Sequence, residues 1–370
     1  MRQVIYHGKL PDPFLCEDGS RITPEQWPSF RQALREKIVT MEYGGMPPRP
    51  EYLRIEPLNG LRRGHTGSWF KIHVGTKEKQ LAFNLELFLP ECFRKEPDAS
   101  EEKYPVVLTG DGCYCNMESP EIEEIQSRGF IAARFNRLDL ANDVFGSREG
   151  GLHDIYPGDY SDISAWAWGY SVCMDVFEQL PFTDETEVAI TGHSRGGKTV
   201  MLAAVVDERI KYVCPNNSGC HGAVSHRVEV PVQEGVPRRT ETLADMCKNL
   251  PTWMGPALFD YQDCVEKLPY DMHYFGALIA PRYYLQCEGM QDYWINPMGA
   301  WQNFMAVKEC YRYLGCPDHA GAWFRPGGHR HRLPDYTEFL DFITRARSGA
   351  PLAEHLQINP YPDMERNFEW

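Results

Sequence analysis

The chain has 370 residues, 38 Lys+Arg against 52 Asp+Glu, and a formal net charge of −14. That length supports a core able to close over a buried site, while an acid excess with no long run of either sign argues against a nucleic-acid partner, which needs a concentrated positive surface. No apolar stretch reaches about 18 residues and the opening MRQVIYHGKLPDPF lacks the apolar run of a signal peptide, so a soluble, cytoplasmic protein without a membrane partner is expected.

Residues 1–50 are rich in Pro and Gly around one predicted helix, PEQWPSFRQALREKIVTMEYGG, stopped by its glycine pair; they read as an arm laid over the core. Residues 51–370 read as a single domain. LAFNLELFLP alternates as a strand does, and YPVVLTG and GFIAARF are compact apolar strands. Then come a helix from Asp162 (DISAWAWGYSVCMDVFEQL), the strand EVAIT, the turn GHSRGG, the helix KTVMLAAVVDERI and the strand KYVCPN. Residues 220–275 break this rhythm and read as an inserted cap or loop region. Beyond them, IAPRYYLQC and GAWFRPGG are strands, and NPMGAWQNFMAVKECYRYLG and LPDYTEFLDFITRA helices. Strands this apolar, alternating with helices, predict a mostly parallel central sheet flanked by helices. The 12 cysteines, scattered through apolar runs, fit reduced buried thiols better than a disulfide framework. Only Cys113 and Cys115 lie close together, with no second pair, so neither a metal nor another cofactor is expected.

GHSRG lies between a strand and an apolar helix, the setting in which G-x-S-x-G is a nucleophile elbow of the α/β-hydrolase fold. Ser194 is then the nucleophile, flanked by Gly192 and Gly196 because side chains there would collide with the neighbouring strand and helix. A serine needs a base, and the base a carboxylate, in the chain order Ser, acid, His. Asp292 in CEGMQDYWINP follows a strand, and RPGGHRHRLP offers His329 or His331, with His221, His226 and His273 next in line. The oxyanion hole is expected from the Arg195 N–H and the loop Gly110, Asp111, Gly112. The Arg195 guanidinium either joins it or pairs with a neighbouring acid.

GHSRGGK resembles the GCSRNGK elbow of the glucuronoyl esterases. LPDPFLCEDGSRI, EYGGMPPRP, AWAWGYS and LPYDMHYFGALIAPR resemble further segments of that family in the same order along nearly the whole chain. The resemblance implies an α/β-hydrolase that cleaves esters of glucuronic acid carboxylates, with Ser194 as nucleophile, Arg195 stabilising the oxyanion and Lys198 meeting sugar hydroxyls. The family often places its acid in a segment like PQESG; here PNNSG puts Asn217 at the glutamate's position, which throws the role onto Asp292. His193 and Arg332 stand where many members carry cysteines. Alignment with the family's His-Cys step points to His331, simpler spacing to His329; the former is preferred, with the other imidazole lining the pocket.

The expected activity is that of a serine esterase on a carbohydrate-linked ester, glucuronoyl or acyl-sugar, acting through an acyl-enzyme on a small-molecule or oligosaccharide substrate. Trp168 and Trp294, with Trp166 and Trp301, are candidates to stack sugar rings. The alternatives are a peptidase or lactonase on the same triad, or a carbohydrate-binding relative without turnover.

Overall fold

The structure is a computed structural model and describes residues 3–58, 67–90, 103–114, 116–144 and 146–370. Its strands are β1 (Ile5–Tyr6), β2 (Tyr52–Pro57), β3 (Gly67–Gly75), β4 (Gln80–Phe88), β5 (Tyr104–Thr109), β6 (Ile131–Phe135), β7 (Thr183–His193), β8 (Tyr212–Asn216), β9 (Val228–Glu229), β10 (Tyr283–Gly289) and β11 (Ala320–Arg325). Nine of them form one sheet in the order β11-β10-β8-β7-β5-β6-β4-β3-β2. From β6 to β11 all neighbours are parallel, and β4, β3 and β2 add an antiparallel edge. This is the mostly parallel sheet of an α/β-hydrolase.

The helices are α1 (Trp27–Tyr43), α2 (Ser119–Ser127), α3 (Leu152–Ile155), α4 (Asp162–Phe177), α5 (Arg195–Val206), α6 (Leu243–Asn249), α7 (His273–Ile279), α8 (Pro297–Tyr313) and α9 (Leu333–Ser348). The central strands β5 and β8 are buried at every residue, and fourteen of the sixteen residues of α4 are buried too, as a helix lying inside the core requires.

The arm helix α1 ends where its sequence says it should, with Gly44 in the left-handed region at φ 73° and its N–H on the Thr40 carbonyl. Phe14, Trp27, Ile38, Val39 and Tyr43 of the arm enter the same apolar cluster as α4, α5 and α8. The chain ends also meet: Leu10 N–H donates to Asn367 O at 2.8 Å, Asn367 Nδ2 to Gly8 O at 2.9 Å and Trp370 Nε1 to Leu10 O at 3.0 Å.

Of the two readings of segment 220–275, an inserted cap or a loop region, its short helices and turns fit the second. Its Ala223, Met246, Trp253, Met254, Leu258 and Tyr270 are buried in the main core, and β9 pairs with β1 of the arm. Its rhythm differs because it packs as short helices and turns between arm and sheet. The ten cysteines among the described residues are free, and Cys115 lies outside those residues. No helix among the described residues is long and apolar enough to cross a membrane.

Candidate active site

The carboxyl ends of β5, β7, β8, β10 and β11 converge, and each delivers one part of the site. Ser194 sits between β7 and α5 at φ 56°, ψ −119°, a conformation that costs a non-glycine residue energy and is kept only where its surroundings over-determine it. Those surroundings are specific. Ser194 N–H donates to Asn216 O at 2.9 Å, a Cβ on Gly192 would overlap the Gly196 carbonyl, and one on Gly196 would overlap the Asp111 carboxylate.

Asp111 is fully buried, and its carboxylate accepts from the His193 backbone N–H at 2.7 Å, from Asn116 Nδ2 at 3.3 Å and from the Arg137 guanidinium. Its own N–H is spent on Thr109 Oγ1 at 3.2 Å. The expectation that Asp111 belongs to the oxyanion loop is therefore corrected: it is the buried anion that fixes the elbow's backbone. Gly112 opens the half-buried turn after Asp111, where a Cβ would sit 2.8 Å from the Phe135 carbonyl oxygen.

Of the two histidines it is His329 whose Nδ1 meets Asp292 Oδ2, at 2.5 Å. Its ring lies 4.3 Å from that of His193, the residue before Ser194, so it stands beside the elbow. The preference for His331 is corrected. His331 is 1% exposed and stacks on Tyr336 at 4.3 Å, with Nε2 3.5 Å from Thr191 Oγ1 and Nδ1 without a partner. Burial, with Arg325 and Arg332 nearby, lowers its pKa to about 3, so this imidazole is a neutral core group and does not line the pocket. Burial likewise lowers the pKa of His193 to about 3. His221, His226 and His273 all lie buried elsewhere; His273 Nε2 meets the Pro11 carbonyl at 2.8 Å.

Asn217, at φ 45°, donates from Nδ2 to Asp292 Oδ2 at 2.7 Å. The residue in the glutamate's position thus serves Asp292 instead of replacing it. Arg325 binds Asp335 Oδ1 through Nε at 2.6 Å and Asn217 Oδ1 through Nη2 at 3.4 Å, and also holds the Arg330 carbonyl, which clamps the His329 loop to β11. Met290 N–H to Arg325 O at 2.9 Å and Gln291 N–H to Gly327 O at 3.0 Å zip the acid loop to the base loop. Glu288, buried one strand position below that loop, has a pKa held well above the carboxylate range by burial and by the Asp292 charge. Sequence reasoning missed Asn217 as a donor, Arg325, Glu288 and Trp253; the strand positions of Glu288 and Arg325 beside the acid and base loops were the available signal.

Arg195 pairs with Asp143, and its guanidinium lies 4.8 Å from the Trp253 ring centre and 5.6 Å from that of Tyr114. Lys198, expected to meet sugar hydroxyls, is 3% exposed and donates to the Ser218 and Cys220 carbonyls at 2.5 Å each, with Glu241 Oε2 at 4.0 Å; burial lowers its pKa. It braces the chain after β8 from below. Trp294, two residues past Asp292, is half-buried, with Arg238 over its ring at 4.0 Å. Trp168 does not belong to the site: it is 4% exposed, donates to Pro48 O at 2.8 Å and borders a cleft of about 420 Å³ at the far end of α5, about 18 Å along that helix from Ser194. Trp166 and Trp301 are core residues as well.

Comparison with known proteins agrees with this architecture. A family model described as glucuronyl esterase, fungi, matches residues 72–315. A 4-O-methyl-glucuronoyl methylesterase of Schizophyllum commune is 27% identical over 333 residues, covering 88% of this chain and 78% of that protein. A carbohydrate esterase of an unknown prokaryotic organism is 26% identical, covering 92% and 90%. Among solved structures, a carbohydrate esterase family 15 glucuronoyl esterase from Caldicellulosiruptor kristjansonii superposes with a TM-score of 0.79 at 26% identity, covering 97% of each chain. The chain belongs to the glucuronyl esterase family and is a carbohydrate esterase on an α/β-hydrolase fold.

Proposed function

We propose that the chain hydrolyses esters between the carboxyl group of a glucuronic acid, including its 4-O-methyl form, and an alcohol, with Ser194, His329 and Asp292 as its triad. The observation that carries this reading is the Asp292 Oδ2–His329 Nδ1 contact of 2.5 Å beside a strained serine at a helix N-terminus. With Nδ1–H directed at Asp292, Nε2 carries the lone pair that takes the Ser194 hydroxyl proton as Oγ attacks the ester carbonyl. The oxyanion develops at the N-terminus of α5, where the Arg195 N–H has no intrahelical acceptor and the Arg195 guanidinium adds positive charge. His329 then protonates the departing alcohol. A water, deprotonated by the same imidazole, releases the sugar acid from Ser194. Lys198 and Glu241 sit beneath this acyl half, and Trp294 with Arg238 forms its edge.

Purified protein assayed against methyl and benzyl glucuronate esters, acetylated xylo-oligosaccharides and p-nitrophenyl acetate tests the reading. The glucuronate esters are expected to give the highest kcat/KM, with Ser194→Ala removing it. A preference of tenfold or more for the acetyl esters would place the acid half elsewhere.

A further inference from the structure

Beneath the segment braced by Lys198 lies a second cluster that the esterase chemistry does not use. His221 Nδ1 and His226 Nε2 both address one carboxylate oxygen, Glu42 Oε1, the second at 3.1 Å, and all three side chains are fully buried. The three donor atoms lie within 4.8 Å of one another. Among the described residues these imidazoles are the only ion-pair partners of Glu42.

Two of the three donor groups have an outer partner that aims them, and the third, His221, keeps its Nε2 buried without a partner. Tyr270 Oη donates to Glu42 Oε2 at 2.6 Å, and Cys220 Sγ lies 3.4 Å from His226 Nδ1. Tyr43 Oη donates to the backbone carbonyl of His221, whose φ of 63° is unusual for a histidine. Metal-binding sites orient their ligands through groups bonded to the far side of an imidazole or carboxylate, as Cys220 is to His226 and Tyr270 to Glu42. A cavity of about 200 Å³ bordered by Cys220, Ser225, His226 and Glu241 reaches one of the three ligands, His226.

We propose that Glu42, His221 and His226 form a binding site for one divalent transition-metal ion, of which Zn²⁺ fits the two imidazoles and one carboxylate best. Mg²⁺ and Ca²⁺ call for oxygen ligands throughout, whereas two nitrogens and one oxygen with a fourth position for water suit Zn²⁺ or Co²⁺. The metal is structural. It ties the end of the arm helix α1 to the segment 218–227, whose Ser218 and Cys220 carbonyls hold Lys198, one turn along α5 from Ser194. Metal binding displaces the protons that the two imidazoles otherwise direct at Glu42.

The test uses untagged full-length protein stripped with a chelator, then loaded with ZnCl₂ or CoCl₂ and passed through gel filtration. Elemental analysis is expected to give one metal per chain, Co²⁺ to show absorption bands between about 500 and 650 nm typical of a four-coordinate ion, and Tm to rise by about 5 °C. His226→Gln and Glu42→Gln should each weaken binding at least 100-fold. Wild-type protein that retains less than about 0.1 metal per chain overturns the proposal even if neither variant folds. One metal bound equally by wild type and a folded variant overturns it too, because the ion then sits elsewhere.

Discussion

Replacing Asp292 by asparagine removes a charge while keeping the shape, and Asn217 decides what the new amide does. Asp292 Oδ2 accepts from both His329 Nδ1, at 2.5 Å, and Asn217 Nδ2, at 2.7 Å. Two donors at one position select the amide oxygen for it, so the Asp292→Asn variant keeps its hydrogen bond to His329 and the imidazole keeps its tautomer. In serine proteases the corresponding change costs about 10⁴ in kcat because the tautomer is lost. Here only the stabilisation of the imidazolium is lost, and water reaches a base whose side chain is 41% exposed. The expected loss is about 10³ in kcat, or about 4 kcal/mol of transition-state stabilisation, with Tm changed by less than about 3 °C. Adding Asn217→Ala frees the amide to turn its NH₂ toward His329, and the double variant should fall a further tenfold. The assay is kcat on methyl glucuronate by pH-stat, with Tm by calorimetry. Asp292→Asn activity within tenfold of wild type, or a double variant no worse than the single one, refutes the reasoning.

Asn217→Glu is expected to be neutral or to lower kcat, since it sets a second carboxylate against Asp292 at a left-handed backbone position that asparagine tolerates better than glutamate; a rise in kcat would return the acid's role to position 217. His329→Ala should abolish turnover, whereas His331→Phe, which preserves the stack on Tyr336, should keep kcat within about fivefold. His331 also sets an acid sensitivity. Its folded-state pKa, about 3, lies below the ordinary histidine value, so its contribution to stability is fully present above about pH 6.5 and is lost as pH falls toward 3. His331→Phe should therefore flatten the decline of Tm between pH 7.5 and 5, and an unchanged slope would show that this imidazole does not control it. Gly196→Ala drives a methyl group into the carboxylate of Asp111; a loss of about 2–3 kcal/mol in urea unfolding, with kcat reduced, is expected.

The parallel centre of the sheet was legible because β5, β6, β8 and the first half of β10 are nearly all apolar, as strands covered on both faces must be. β2 and β3 went unread: their outward positions carry Arg54, Glu56, Lys71 and His73, which interrupt any apolar run. In the site, the elbow and the place of Asp292 after a strand follow from local order. The choice between His329 and His331 does not, because it depends on which ring the loop turns toward Asp292, and Arg325 sets that turn from the end of β11. Tyr336, five residues past His331, was the local sign that this ring stacks inward. Asp111 looked like an oxyanion-loop residue because its partners, Arg137 and His193, lie 26 and 82 residues further on.

The arm's dependence on distant segments shapes how the chain is made. Glu42, at the end of α1, finds its partners 179, 184 and 228 residues later, and Gly8 meets Asn367 across 359. At ribosomal speeds of about 5–20 residues per second, Tyr270 follows Glu42 by on the order of 10–45 s. For the part of that interval before α4 and α5 emerge, α1 stands with Ile38, Val39 and Tyr43 lacking the cluster they join in the fold. The arm helix therefore completes its docking only after residues far downstream are made, and until then its apolar face is a target for a chaperone.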